Sequence, residues 1–588
     1  MMFSRFSTLL LATTALVPLG LAVAVANPLG AQVVGGNASV QGQGTANVTV
    51  TQTTDKAIIN WNTFNVGANE ATRFVQPGSS SIALNRVTGG LGPSELFGTL
   101  SANGRIFLVN PDGILVGPGA KIDTAGFLAT THDIANADFM AGRYNFSIPG
   151  RPDASVVNQG TITAQNGGFA ALVAPGVRNS GTITATLGTI SLAAGNGFTL
   201  DFYGDKLITL GVNDSVAAQV KDVATGQTLQ SLVSNDGKLS ASGGRVELTA
   251  AAARQVVDSV INNTGVIEAN SIGSKNGMIV LGAATASSKP TGAPTQTVKV
   301  SGTLAAAGKN NGEKGGKVQI TGEAVELAGA HIDASGAAGG GTVLIGGDWS
   351  GGHPVLGLVS NVSATLEPIA VPIATTTAVD AASTIDASAT AAGNGGKVIV
   401  WANGATTFAG SIAARGGAAS GNGGFVETSG HRTLGFTGTV DTRAPKGQFG
   451  TLLLDPADYY IVTALGGSPT DASEITNTAL DDQLVDNNIT LATNNSANPS
   501  GQHGDIFVNA DVSWNTTNSL TLNAFRNIEV NAAITAINGG LVVNAQNAIT
   551  ASGAVIVGAF TLAGGNWNQV TWDTLPGFSA NDFRITGG

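Results

Sequence analysis

A short text recurs along this chain of 588 residues at a spacing that few folds can absorb. Asn158-Gln159-Gly160-Thr161-Ile162-Thr163-Ala164 returns 21 residues later as Asn179-Ser180-Gly181-Thr182-Ile183-Thr184-Ala185. Between the two copies, Gly168-Phe169-Ala170-Ala171-Leu172 is answered after 20 residues by Gly188-Thr189-Ile190-Ser191-Leu192. Two short strands and two turns therefore fit into about twenty residues. The theme continues with longer turns. One strand type reads His331-Ile332-Asp333-Ala334, Thr384-Ile385-Asp386-Ala387, Ser411-Ile412-Ala413-Ala414 and Thr439-Val440-Asp441-Thr442. A second type follows a glycine pair, as in Lys317-Val318-Gln319-Ile320, Lys397-Val398-Ile399-Val400 and Phe425-Val426-Glu427-Thr428.

Alternation with period two puts Ile and Val on one face and Thr, Asp, Lys, Glu on the other. Strands this short are unstable alone. Stacked coil on coil, they pair above and below, and their aliphatics form a continuous inner column. Outward Thr, Ser and Asn would then form uncharged ladders. A glycine-rich linker lacks this alternation, and a β-sandwich does not repeat near-identical strands at one-coil spacing. The expected fold is all-β, a single-stranded right-handed parallel β-helix. At ~20–28 residues per coil, the chain would make ~20–28 coils and a rod ~100–130 Å long.

Composition narrows the function. Charged residues are 11% of the chain and the net charge is -11, with no basic cluster, so nucleic acid is not an expected partner. Cys is absent, which removes disulfides, thiolate catalysis and Cys-ligated zinc. It also suits a chain that crosses a second membrane unfolded. Arg5, the apolar run Thr8 to Val25, and Ala24-Val25-Ala26 read as a secretory leader, residues 1–26. Leu29-Gly30-Ala31 offers a poorer cleavage site after residue 31.

Asn60 to Phe146 carries more specific text. It reads Asn60-Trp61-Asn62-Thr63-Phe64-Asn65-Val66-Gly67, then Ala83-Leu84-Asn85-Arg86-Val87-Thr88-Gly89, then Gly98 through Ile114. This text resembles the N-terminal secretion domain of the filamentous haemagglutinin family, the exported half of two-partner secretion systems. The run Asn110-Pro111-Asp112-Gly113-Ile114 looks like that domain's Asn-Pro-Asn-Gly-Ile motif, with Asp in third place. A second family motif, Asn-Pro-Asn-Leu, is absent. Further on, Gly423 to His431 and Gly450 to Pro456 are similar to the high-molecular-weight adhesin branch.

The resemblance implies Sec export from a Gram-negative cell and periplasmic handover to an outer-membrane pore partner with docking domains. It also implies a secreted or surface-held rod. It places the secretion domain at residues 32–265, a repeat region at 266–455, and continuing repeats at 456–588. Physically, Asn-Pro-Asp-Gly is a tight corner: Pro presets φ, and Gly takes the strained last position. The corner's role in secretion is an implication of the resemblance.

Segment Ser468 to Asn487 breaks the strand pattern. Ile475, Leu480 and Leu484 predict a short helix capped by Asp471 or Ser473.

A β-helix can also be a polysaccharide lyase or hydrolase, which needs convergent carboxylates. Asp333, Asp386 and Asp441 recur at one place in their coils, and read as solvated turn-edge residues accepting backbone hydrogen bonds. His132, His331, His353, His431 and His503 show no metal-ligand spacing and read as lone surface or turn histidines. No catalytic, cofactor or metal site is expected. The reading is a monomeric, non-enzymatic adhesin for host cells, matrix or other bacteria, whose receptor, glycan or protein, the sequence does not name. The alternatives are a glycan lyase or a truncated contact-dependent toxin or haemolysin. The end at Thr586-Gly587-Gly588 carries no polar cap for a last coil, which leaves truncation open.

Overall fold

The computed structural model describes residues 27–204, 206–210, 216–251, 257, 259–283, 296–352, 371–469, 472–494, 504–570 and 575–587. The leader assigned to residues 1–26 lies outside them, as do His353, His503 and Asp471.

The chain winds into a right-handed parallel β-helix with three strand ribbons. The first ribbon includes Asn47–Gln52, Thr182–Thr184, Thr384–Asp386 and Thr439–Asp441. The second includes Lys56–Trp61, Arg105–Val109, Lys397–Ala402 and Phe425–Gly430. The third includes Ser155–Asn158, Gly176–Asn179, Ser259–Asn263 and Ala405–Phe408. Within the stack, strands pair in parallel with the same ribbon one coil earlier and later, as in Ile162↔Ile183↔Leu239↔Ile267. The register repeats the sequence repeat, because only in-register stacking keeps each aliphatic over the last.

The second ribbon runs through 18 rungs, from Lys56–Trp61 to the end of the strand Phe578–Ile585. At ~4.8 Å per rung the rod is ~80 Å long, shorter than repeat spacing predicts. Excursions between coils consume the difference: Thr184 and Lys238, for instance, belong to successive rungs of one ribbon. The stack passes residue 265 with no break in pairing.

The first coil does not present a bare edge. Gln32–Gly35 pairs antiparallel with Lys56–Trp61, and Ala38–Gln41 with Asn47–Gln52. Asn27 is fully buried in this cap; its Nδ2 donates to the Thr45 carbonyl at 2.6 Å, and its Oδ1 accepts from Thr72 Oγ1 at 3.1 Å. Such antiparallel cover protects an edge that would otherwise template another strand.

Two aromatic patches lie outside the tube. Arg105-Ile106-Phe107-Leu108-Val109 is apolar on both faces, as a strand buried on both sides must be. Phe107 points outward and is covered by the helix Asn136–Ala141 and an antiparallel sheet of Asn145–Phe146, Phe198–Leu200 and Ile208–Leu210. Phe146 stacks on Phe198 at 4.6 Å. The second patch covers Leu344, Ile399 and Leu453 with Trp349 and Trp401.

The helix near the end is Asn477–Asp486, N-capped by Thr476, whose hydroxyl accepts from Ala479 N–H. Ser473, expected as a cap, lies in the strand Ser473–Thr476, because Ile475 continues the β alternation into the core.

Candidate functional site

Asn110 follows the second-ribbon strand Arg105–Val109 and is 1% exposed. Its side chain does three jobs. Nδ2 donates to the Gly92 carbonyl at 3.1 Å and to Ser94 Oγ at 3.0 Å, one coil back. Oδ1 accepts from Asp112 N–H at 3.0 Å, and the Asn110 carbonyl accepts from Gly113 N–H at 3.1 Å. The local sequence therefore closes its own turn, in the manner of an Asx turn. Gly113 has φ +116°, and a Cβ there would lie 3.0 Å from the Ser155 carbonyl oxygen and 3.2 Å from Val223 Cγ2. Its own carbonyl accepts from Ser94 N–H at 3.0 Å. Ile114 re-enters the core and pairs with Ser94 and Val156.

Asp112 faces out, 3.7 Å from Arg151 Nη1. The Pro111 carbonyl accepts from Arg151 N–H at 3.1 Å. An Asp in third place is thus accommodated, because this side chain meets an arginine while Asn110 carries the buried bonds. All five residues converge on one corner that ties three successive coils together.

The repeats hide a second feature. Asn158, Asn179, Asn235 and Asn263 are fully buried and bonded in series, Nδ2 to Oδ1, at 2.7, 2.7 and 2.8 Å. Asn was expected in outward ladders; this ladder faces inward. An amide both donates and accepts, so a column of them satisfies itself without water. The signal was the Asn-x-Gly-x-aliphatic text, with Asn at the last position of each third-ribbon strand. Beyond Asn263 the column continues as Val300, Leu327, Val379 and Phe408, where hydrocarbon replaces the amides.

Three other side chains depart from the sequence reading. His132 is fully buried, not a surface histidine; burial lowers its pKa to about 4, and its ring meets Phe198 edge-on at 6.0 Å. It sits where the tube meets the outer sheet, which sequence spacing does not reveal. Glu427 is fully buried, not outward in water. It occupies the rung between Ile399 and Leu453, under the tryptophan patch. Burial, then the Asp455 charge, raises its pKa to about 8. Beside it, the buried Lys397 ion-pairs with Asp348.

The aspartate row makes its expected backbone bonds, but Asp441 is covered by two arginines and is not solvated. Asp333, Asp386 and Asp441 each accept from the backbone N–H two residues on, at 3.0, 2.8 and 3.0 Å. Asp441 also pairs with Arg415 and Arg443 at 2.8 and 2.6 Å. Among the described residues, no group of three or more His, Asp or Glu is placed to hold a metal ion, and no helix is long and apolar enough to cross a membrane.

Comparison with known proteins bears on this geometry. A crystal structure of the HMW1 secretion domain from Haemophilus influenzae aligns over 72% of this chain and all of its own, with 32% identity and a TM-score of 0.55. Two Haemophilus influenzae proteins named heme/hemopexin-binding protein are 34% and 32% identical over 264 and 259 residues. These stretches are 44% and 40% of this chain, and the chain spans only 27% and 26% of those relatives. Residues 24–320 match the TPS secretion domain family. With that match over half the chain, and the same β-helical architecture, the chain belongs to the TPS secretion domain family, the two-partner secretion exoproteins of the filamentous haemagglutinin type.

Proposed function

We propose that this chain is an exported, non-enzymatic exoprotein whose N-terminal region, about residues 32–265, engages an outer-membrane transporter, and whose later coils form an attachment rod. The observation that carries the reading is the capped first coil joined to the Asn110–Ile114 corner, in a chain 32% identical to a secretion domain. The leader is cut after Ala26: Asn27 then survives to plug the cap, whereas cutting after residue 31 would remove it. The partner binds the chain before the cap closes, because the folded edge is already covered by Gln32–Gly35 and Ala38–Gln41. The exposed rod then mediates adhesion to host cells, matrix or other bacteria.

The test is fractionation of the Gram-negative host with and without the transporter. Extracellular chain should appear only with it, beginning at Asn27. Equal release from both strains would refute the export reading.

A second reading comes from the relatives named for heme and hemopexin binding. Retention of haem-loaded hemopexin on the immobilised chain would support it over general adhesion.

A further inference from the structure

A groove is cut into the first ribbon of the later coils. There the register runs Asp386↔Ala413↔Asp441, so one small side chain stands between two aspartates. Ala413 leaves a notch where a third carboxylate would sit. On the same outward face Thr384, Ser411 and Thr439 stack in line. Two cavities of about 600 and about 560 Å³ meet here, sharing Asp386 and Arg415. One is walled by the helix Asn477–Asp486 through Asp482 and Asp486, the other by the turn that carries Pro445 and Phe449. Each has the size of a small-molecule pocket; side by side on the same three coils they make one trough.

The chemistry of the trough is distinctive in a chain with only 11% charged residues. Arg415 Nε and Arg443 both hold Asp441, yet the two guanidinium side chains remain 54% and 50% exposed. Ser388 Oγ fixes the Arg415 backbone by accepting its N–H at 3.2 Å. Asp386 uses Oδ1 on Ser388 N–H. Two arginines face four carboxylates, Asp386, Asp441, Asp482 and Asp486. The excess negative charge disfavours an anion. The central arginines disfavour a cation. Fixed donors, fixed acceptors and a row of hydroxyls beside the Phe449 and Pro445 surfaces suit a neutral polyhydroxyl chain with apolar C–H faces.

We propose that this trough is a binding site for a neutral oligosaccharide, lying across the coils of Thr384–Asp386, Ser411–Ala413 and Thr439–Asp441 with its centre on the Ala413 notch. Hydroxyls donate to Asp386 and accept from the exposed guanidinium of Arg415, which Asp441 holds in place. The proposal deepens the attachment reading and rests on it for its biological setting.

The experiment is titration calorimetry on the purified full chain with neutral hexasaccharides of glucose and xylose, and with a hexauronate for contrast. At least one neutral hexasaccharide should bind. Ala413→Leu, which fills the notch, and Asp386→Ala, which removes an acceptor, should each weaken it at least tenfold. Lys299→Gln, on the exposed Lys299–Glu326 pair of another ribbon, should leave it unchanged. No neutral binding, binding kept by both trough variants, or tighter binding of the hexauronate overturns the proposal. Attachment is scored separately: a deletion strain that adheres as well as its parent refutes the attachment reading, whatever the calorimetry shows.

Discussion

Gln483 Oε1 accepts a hydrogen bond from the Val440 backbone N–H at 3.0 Å, so a helix side chain stands where the next strand of the first ribbon would be. Asn487 completes the substitution. Its Oδ1 accepts from Thr442 N–H at 3.0 Å, and its Nδ2 donates to the Val440 carbonyl at 2.8 Å. On the far side, Asp481 Oδ1 accepts from Ser513 N–H at 2.8 Å. The ribbon is interrupted, but its polar edges are not left bare, which buried backbone groups cannot tolerate cheaply.

This substitution predicts a local fault line. Asn487→Ala should strand the Thr442 N–H and the Val440 carbonyl, at roughly 1–3 kcal/mol for each group left unpaired. Urea denaturation should show the loss, and hydrogen exchange should speed up at the Thr442 N–H. Unchanged exchange there would refute the bridging role.

The corner predicts a secretion defect. Gly113→Val puts a β-branched residue at positive φ against the Ser155 carbonyl, a cost of roughly 1–2 kcal/mol or more. Asn110→Ala removes buried bonds to the preceding coil. Both should lower the ratio of extracellular to periplasmic chain, with leader cleavage unaffected. Thr182→Ser, on a strand surface, is the control. Parental secretion by both corner variants would make the corner dispensable.

The amide ladder predicts a core penalty at a polar position. Asn179→Ala strips Asn158 Nδ2 of its shorter bond and orphans Asn235 Oδ1, at roughly 1–3 kcal/mol per group, plus a cavity. Thr182→Ala, three residues on, should shift stability by about 0.5 kcal/mol or less. Equal urea midpoints for the two variants would contradict an inward ladder.

Glu427 predicts an alkaline weakness. Burial holds its pKa at about 8 in the folded chain against 4.5 for the free group. A raised acid stabilises the fold in its protonated form. That contribution is whole below about 4.5 and fades as pH rises through about 8. Asp455, raised to about 6 by burial, acts in the same direction. Urea midpoints should therefore fall from pH 5 to pH 9. Glu427→Gln should flatten the profile and exceed the parent at pH 9; a parallel profile would place the sensitivity elsewhere.

Much of this protein was legible in its text. The recurrence at 20 and 21 residues named the fold, because a strand too short to stand alone must find its copy one coil away. Asn110-Pro111-Asp112-Gly113 named a corner, because Pro and Gly restrict φ locally. The aspartates two residues before a free N–H were readable for the same reason. Each of these depends on neighbours in sequence.

Tertiary structure decided what depends on neighbours in space. The inward turn of Asn158, Asn179, Asn235 and Asn263 is set by which face of a three-sided coil their strand end presents. The burial of Glu427 and His132 is set by chain that returns from elsewhere to cover the outer face of the tube. The Ala413 notch exists only because register places it between Asp386 and Asp441. Period-two alternation says that a side chain leaves one face of a strand; it does not say whether water or more protein lies beyond that face.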